Sequence, residues 1–122
     1  MKKILVVDDE PILNSAYCNL LEESGFEVRG ATDPKIGLEI LNEFKPDGII
    51  LDLNMPIMDG IGFLESADVD NKHPGTKVVL FSVSDEDSRI EKAFSLGTSR
   101  YVVKGMLAPA DLEKIARDEF DD

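Results

Sequence analysis

Asp8, Asp9, Asp52, Ser82 and Lys104 are the side chains of this 122-residue sequence best placed to do chemistry, because each follows a short apolar run. Ile4–Val7 leads into Asp8, Asp9 and Glu10, and Gly48–Leu51 leads into Asp52. Val78–Phe81 leads into Ser82, and Tyr101–Val103 into Lys104. In an open parallel sheet, ligands bind beyond the carboxyl ends of the strands, where the strand order reverses. If the first and third runs are neighbouring strands, about 4.8 Å apart, then Asp8, Asp9 and Asp52 share one small pocket. Ionised carboxylates about 5 Å apart repel by on the order of 3 kcal/mol per pair at an effective dielectric near 20. Either one of them takes up a proton or a cation sits among them. Hard oxygen ligands with open positions suit Mg²⁺, which keeps several waters and commonly bridges to a phosphate. Lys104 supplies one positive charge, too little to neutralise three acids but well placed to meet an incoming anion. The set suits a divalent metal together with a phosphoryl group.

The elements that must position these groups are legible as alternating patterns. The runs named above, with Val28–Ala31 as a weaker fifth, are rich in Val and Ile and continuous rather than alternating, which marks strands buried on both faces. Between them fall segments of helical spacing. Ile12, Leu13, Ala16, Tyr17, Leu20 and Leu21 form a stripe that Gly25 stops. Asp33 caps a second helix with Pro34 at its first position and Ile36, Leu38, Ile40, Leu41 and Phe44 on its apolar face, and Pro46 closes it. A third starts near Asp59-Gly60, and a fourth opens at Ser84–Asp87 with Ile90, Ala93, Phe94 and Leu96 inward. The last runs from about Pro109 to Phe120. The alternation predicts an α/β fold: a doubly wound, five-stranded parallel sheet with helices on both faces. The Asp-rich stretch Ala67–Thr76, which holds the single histidine, His73, reads as a flexible loop.

Composition narrows the function classes. The chain carries 25 acidic and 13 basic side chains, a formal net charge of −12, which argues against non-specific nucleic-acid binding and disfavours adsorption to anionic membranes. With 43% hydrophobic and 31% charged residues it is a globular mix. No apolar run approaches the roughly 18 residues of a spanning helix. Met1-Lys2-Lys3 and the run after it imitate a signal peptide only until Asp8-Asp9-Glu10 interrupts. A lone Cys18 forms no internal disulfide and fits a reducing cytoplasm, the predicted location.

Asp8-Asp9, the run Asp52-Leu-Asn54-Met-Pro-Ile-Met-Asp59-Gly60, Ser82, Tyr101 and Lys104 together resemble the CheY-like receiver domain of two-component response regulators, over essentially the whole chain. The resemblance implies a flavodoxin-like (βα)5 sheet of strand order 2-1-3-4-5, one receiver domain spanning residues 1–122. It implies that Asp52 is the nucleophile that accepts a phosphoryl group from a sensor histidine kinase or a histidine phosphotransfer protein. Mg²⁺ would be held by Asp9 and Asp52 directly, by Asp8 through water and by the backbone carbonyl of Asn54. Lys104 would contact one phosphoryl oxygen, and Ser82 would move to bond another while Tyr101 changes rotamer. The output surface would be the fourth helix, fifth strand and fifth helix, which meets a partner protein not identified by the sequence. Such a protein catalyses only its own phosphoryl transfer and dephosphorylation, and is a monomer or a weak phosphorylation-dependent dimer.

Plainer readings stand beside these. Asp33 and Asp85 read as helix caps, Met55 to Gly60 as loop geometry, Tyr101 as a half-buried strand aromatic, Cys18 as a structural thiol and His73 as a solvent-exposed side chain. Three residues depart from the family pattern. Gly105 replaces the usual Pro after the lysine, so a trans Lys104-Gly105 bond is expected. Val83 replaces a small residue and could narrow access to Asp52, and Thr98 replaces an Ala near the end of the fourth helix. The rival readings are a degenerate receiver acting as a phosphorylation-independent interaction module and a small aspartyl-nucleophile phosphohydrolase. The latter usually shows Asp-x-Asp after the first strand, where Asp8-Asp9-Glu10 stands here. A flavodoxin-like nucleotide binder is a third, disfavoured because those acids would repel a phosphate without metal.

Overall fold

The computed structural model describes residues 1–120. Five parallel strands form one sheet: β1 (Lys3–Val7), β2 (Glu27–Ala31), β3 (Gly48–Asp52), β4 (Lys77–Ser82) and β5 (Thr98–Val103), in the order β2-β1-β3-β4-β5. The doubly wound α/β architecture expected from the alternation is therefore the one observed. The helices are α1 (Pro11–Glu23), α2 (Pro34–Phe44), α3 (Gly60–Ala67), the single turn α4 (Val69–Lys72), α5 (Arg89–Ser95) and α6 (Pro109–Phe120).

Between their end residues the central strands are apolar because both faces are covered. Side chains alternate across a strand. Leu5, Val7, Ile49, Leu51, Val78 and Leu80 therefore pack toward Leu41, Phe63, Leu64, Ile90 and Ala93 of α2, α3 and α5. Ile4, Val6, Ile50, Val79 and Phe81 pack toward Tyr17, Leu21, Leu112, Ile115, Ala116 and Phe120 of α1 and α6. Parallel pairing of Val7 with Leu51 and of Asp52 with Phe81 brings the carboxyl ends of β1, β3 and β4 level. The connections obey local rules. Asp33 accepts from the Lys35 N–H with Pro34 next to it, and Asp59 accepts from the Gly62 N–H, capping α2 and α3. Gly25 and Gly97 take φ of +100° and +109° after α1 and α5, a region in which glycine carries no Cβ penalty.

Several local expectations are corrected. The fourth predicted helix begins at Arg89 rather than at Ser84, and its capping oxygen is Asp87 Oδ1, not Asp85, which lies in the preceding turn. The stretch Ala67–Thr76 is not all loop: Val69 opens α4 and is buried in the core. Thr98, near the end of α5 as expected, opens β5, so that strand starts earlier than Tyr101. Ile12, Ile36 and Phe94, placed on inward stripes by spacing, are 87%, 49% and 42% exposed. On α1 the buried positions are Asn14, Tyr17 and Leu21, a spacing that leaves Ile12 off the core-facing side.

Candidate functional site

The site forms where β1 and β3 end side by side. Asp8 follows β1, with its backbone N–H donating to the Ala31 carbonyl and its Oδ1 accepting from the Glu10 N–H at 3.0 Å. Asn14 of α1 braces it from behind, donating through Nδ2 to the carbonyls of Asp8 and Ala31 at 3.0 and 2.9 Å. This buried asparagine ties α1 to the ends of β1 and β2, and the apolar stripe of its helix gives no hint of it. Asp52 is the last residue of β3, and its Oδ1 accepts from the Asn54 N–H at 3.1 Å. Both carboxylates are almost wholly buried, at 2% and 3% exposure, whereas Asp9 is half-buried.

Lys104 enters from the turn after β5. Its Nζ lies 3.0 Å from Asp8 Oδ2 and 3.3 Å from Asp52 Oδ2. Burial pushes the Asp52 carboxyl above the ordinary carboxylate range, although Lys104 and the Asn54 N–H pull the other way. Burial alone would depress the Lys104 ammonium, but the hydrogen bond to Asp8 and the field of Asp52 outweigh it, and its pKa rises. One ammonium does not balance the carboxylates: oxygens of Asp8, Asp9 and Asp52 all lie within 4.8 Å of one another. Three convergent hard oxygen donors, with an excess of negative charge and an open side at Asp9, fit a small divalent cation such as Mg²⁺.

Ser82 and Tyr101 are not drawn onto this cluster. Ser82 is fully buried at the end of β4, and its hydroxyl donates to the Ser84 carbonyl at 2.7 Å. Tyr101 is 37% exposed, its ring set edge-on to that of Phe94 at 6.2 Å between centroids. Val83 is 65% exposed, at the surface rather than over Asp52, which is buried. The Lys104-Gly105 bond is trans, as expected without proline. His73 is half-buried rather than exposed, and it is not part of the carboxylate cluster. Cys18 is half-buried, donates to Asn14 Oδ1 and has its thiol pushed up to about 11 by burial, the state of an inert structural cysteine.

The sequence pattern does not single out Arg89. Its guanidinium bonds Asn54, Asp59 and Asp87, joining the loop after β3 to the loop after β4. Its partners Asp59 and Asn54 stand 30 and 35 residues away in the chain, so no local motif announces the contact.

A doubly wound sheet with a lysine-bridged carboxylate cluster at its switch point places charged groups where open α/β domains bind their ligands. Residues 4–117 match the model of the response regulator receiver domain, and the chain belongs to that family. It is 32% identical over 120 residues to the chemotaxis protein CheY of Listeria monocytogenes, covering 96% of this chain and 98% of that one. It is 34% identical over 113 residues to the nitrate/nitrite response regulator protein NarL of Escherichia coli, covering 91% of this chain and 51% of that protein. Among solved structures, chemotaxis protein CheY4 of Vibrio cholerae superposes with a TM-score of 0.89 at 25% identity, covering 98% of both chains. A CheY-like receiver domain protein from Methanospirillum hungatei gives 0.89 at 26% identity, covering 99% of this chain and 94% of that one. Among the described residues, no helix is long and apolar enough to cross a membrane.

Proposed function

We propose that this receiver domain is a phosphorylation-dependent switch in which Asp52 accepts a phosphoryl group from a histidine kinase or histidine phosphotransfer protein. The observation that carries the reading is the placement of Lys104 Nζ between Asp8 Oδ2 and Asp52 Oδ2 at the ends of β5, β1 and β3. An Asp52 carboxylate oxygen attacks phosphorus in line, the P–N bond of the donor phosphohistidine breaks, and the freed imidazole nitrogen takes a proton. Such transfer demands positioning and charge neutralisation more than covalent help. Asp9, Asp52 and the Asn54 carbonyl would hold Mg²⁺ directly and Asp8 would hold it through water; the ion supplies neutralisation of the phosphoryl oxygens. Lys104 meets a further phosphoryl oxygen once the added charge competes with Asp8 for its ammonium. Hydrolysis reverses the state when water attacks phosphorus and Asp52 leaves.

A protein partner is supported by the surface around the site. Ile12, Ile57, Val83 and Met106 are exposed, and all lie in segments that follow the carboxyl ends of the strands. Ile57 holds φ at +68°, a strained conformation for a β-branched residue, with its side chain fully exposed. We assign the donor protein to this rim and the output partner to α5, β5 and α6, where Phe94 and Tyr101 are exposed. Beryllofluoride with Mg²⁺ tests the reading. Saturable binding that Asp52→Ala abolishes supports it; no response at millimolar Mg²⁺ would instead favour a phosphorylation-independent interaction module.

A further inference from the structure

Arg89 is a cation that the phosphoryl chemistry leaves unused. Nη1 donates to Asp59 Oδ2 at 2.9 Å, and Nη2 to Asn54 Oδ1 at 2.6 Å and Asp87 Oδ2 at 2.7 Å. Nε and the backbone N–H both donate to Asp87 Oδ1, at 3.0 and 2.9 Å. With the Arg89 side chain 35% exposed, any one of these ion pairs is weak. The planar fork closes several at once, and that geometry is what arginine supplies and lysine does not. Arginine only donates, so the Asn54 amide must turn Oδ1 toward it. Asn54 Nδ2 then faces away, buried and without a partner among the described residues.

The other end of the loop after β4 is Ser82. Its hydroxyl has one proton, and the Ser84 carbonyl takes it. To donate to a phosphoryl oxygen on Asp52, Ser82 must give up that bond, and residues 83–88 must rearrange with it. β4 anchors the start of the segment, and the Arg89 fork pins its far end to Asn54, two residues from Asp52.

We propose that Arg89 is a positioning residue that pins the β4–α5 loop to the Asn54–Asp59 loop and so opposes the movement of Ser82 toward an occupied Asp52. The inference rests on the reading of Asp52 as phosphoacceptor. The pin sets how much of the binding free energy at Asp52 is spent on rearranging the loop. Its release therefore raises affinity for a phosphoryl mimic.

Two measurements on the full chain test this. Amide hydrogen exchange over residues 83–88, without Mg²⁺ or mimic, should be faster in Arg89→Gln than in the parent. Beryllofluoride titration with Mg²⁺ should then show at least about fivefold tighter binding in Arg89→Gln, the lower range of coupling between linked sites. Arg89→Lys, which keeps the charge but loses the fork, should fall between the two. Asp87→Asn, which leaves the bonds to Asn54 and Asp59 in place, should tighten binding less and carries the test if Arg89→Gln does not fold. Unchanged exchange, or affinity equal to or weaker than the parent's, overturns the proposal. A parent protein that takes no beryllofluoride overturns the phosphoacceptor reading instead, and the exchange comparison alone then decides whether Arg89 pins the loop.

Discussion

Lys104 Nζ lies 3.0 Å from Asp8 Oδ2, joining the end of β5 to the end of β1 across 96 residues of chain. The same ammonium is 3.3 Å from Asp52 Oδ2, and its side chain is only 14% exposed. Lys104→Met would leave two buried carboxylates facing each other without this cation. The expected cost is about 2–3 kcal/mol at neutral pH, somewhat below that of breaking a fully buried pair. Urea unfolding of the two proteins measures it, and a variant as stable as the parent would show that Lys104 is not the counterion of this pocket.

Asp52 behaves in the opposite sense. Burial raises its pKa in the folded protein, so the folded state holds the proton more tightly than the unfolded chain. That contribution to stability is present below the ordinary carboxylate pKa and is lost as pH rises through the folded value. At neutral pH the ionised side chain is a standing cost. Asp52→Asn should be more stable than the parent at neutral pH, with the difference shrinking in acid. Unfolding midpoints of both proteins across the acid range check the sign.

Mg²⁺ should relieve the same repulsion. A ligand bound only by the folded state stabilises it by about 2.7 kcal/mol at a hundred times its Kd. The melting temperature should climb with Mg²⁺ and level off, and Asp9→Ala should remove most of the rise. A rise of equal size in Asp9→Ala would place the ion elsewhere.

Gly60 sits directly behind the acceptor. A Cβ there would stand 2.9 Å from Leu53 Cα and 3.1 Å from Asp52 O, and backbone cannot yield as a flexible side chain does. Gly60→Ala is expected to cost about 1–3 kcal/mol through overpacking. It should also weaken beryllofluoride binding by displacing Asp52. Calorimetry with a beryllofluoride titration separates the two effects.

What the sequence discloses follows from where its signals are local. Val- and Ile-rich runs announce strands buried on both faces, and the polar residue that ends each run marks the sheet's carboxyl edge. Asp8, Asp52, Ser82 and Lys104 were legible for that reason. Asn14 and Arg89 were not, because their meaning lies in partners that only the fold brings near. Helical spacing misjudged Ile12, Ile36 and Phe94, since an apolar stripe does not say how wide a face the neighbouring elements cover. Asp85 and Asp87 are equivalent as caps by composition, and only the Arg89 contacts distinguish Asp87.

Acceptance of a phosphoryl group by Asp52 is tested most directly by incubation with acetyl phosphate and Mg²⁺, followed by intact-mass measurement. The parent should gain the mass of one phosphoryl group only when Mg²⁺ is present, and Asp52→Asn should gain none. No gain in the parent, or an equal gain in Asp52→Asn, would contradict it.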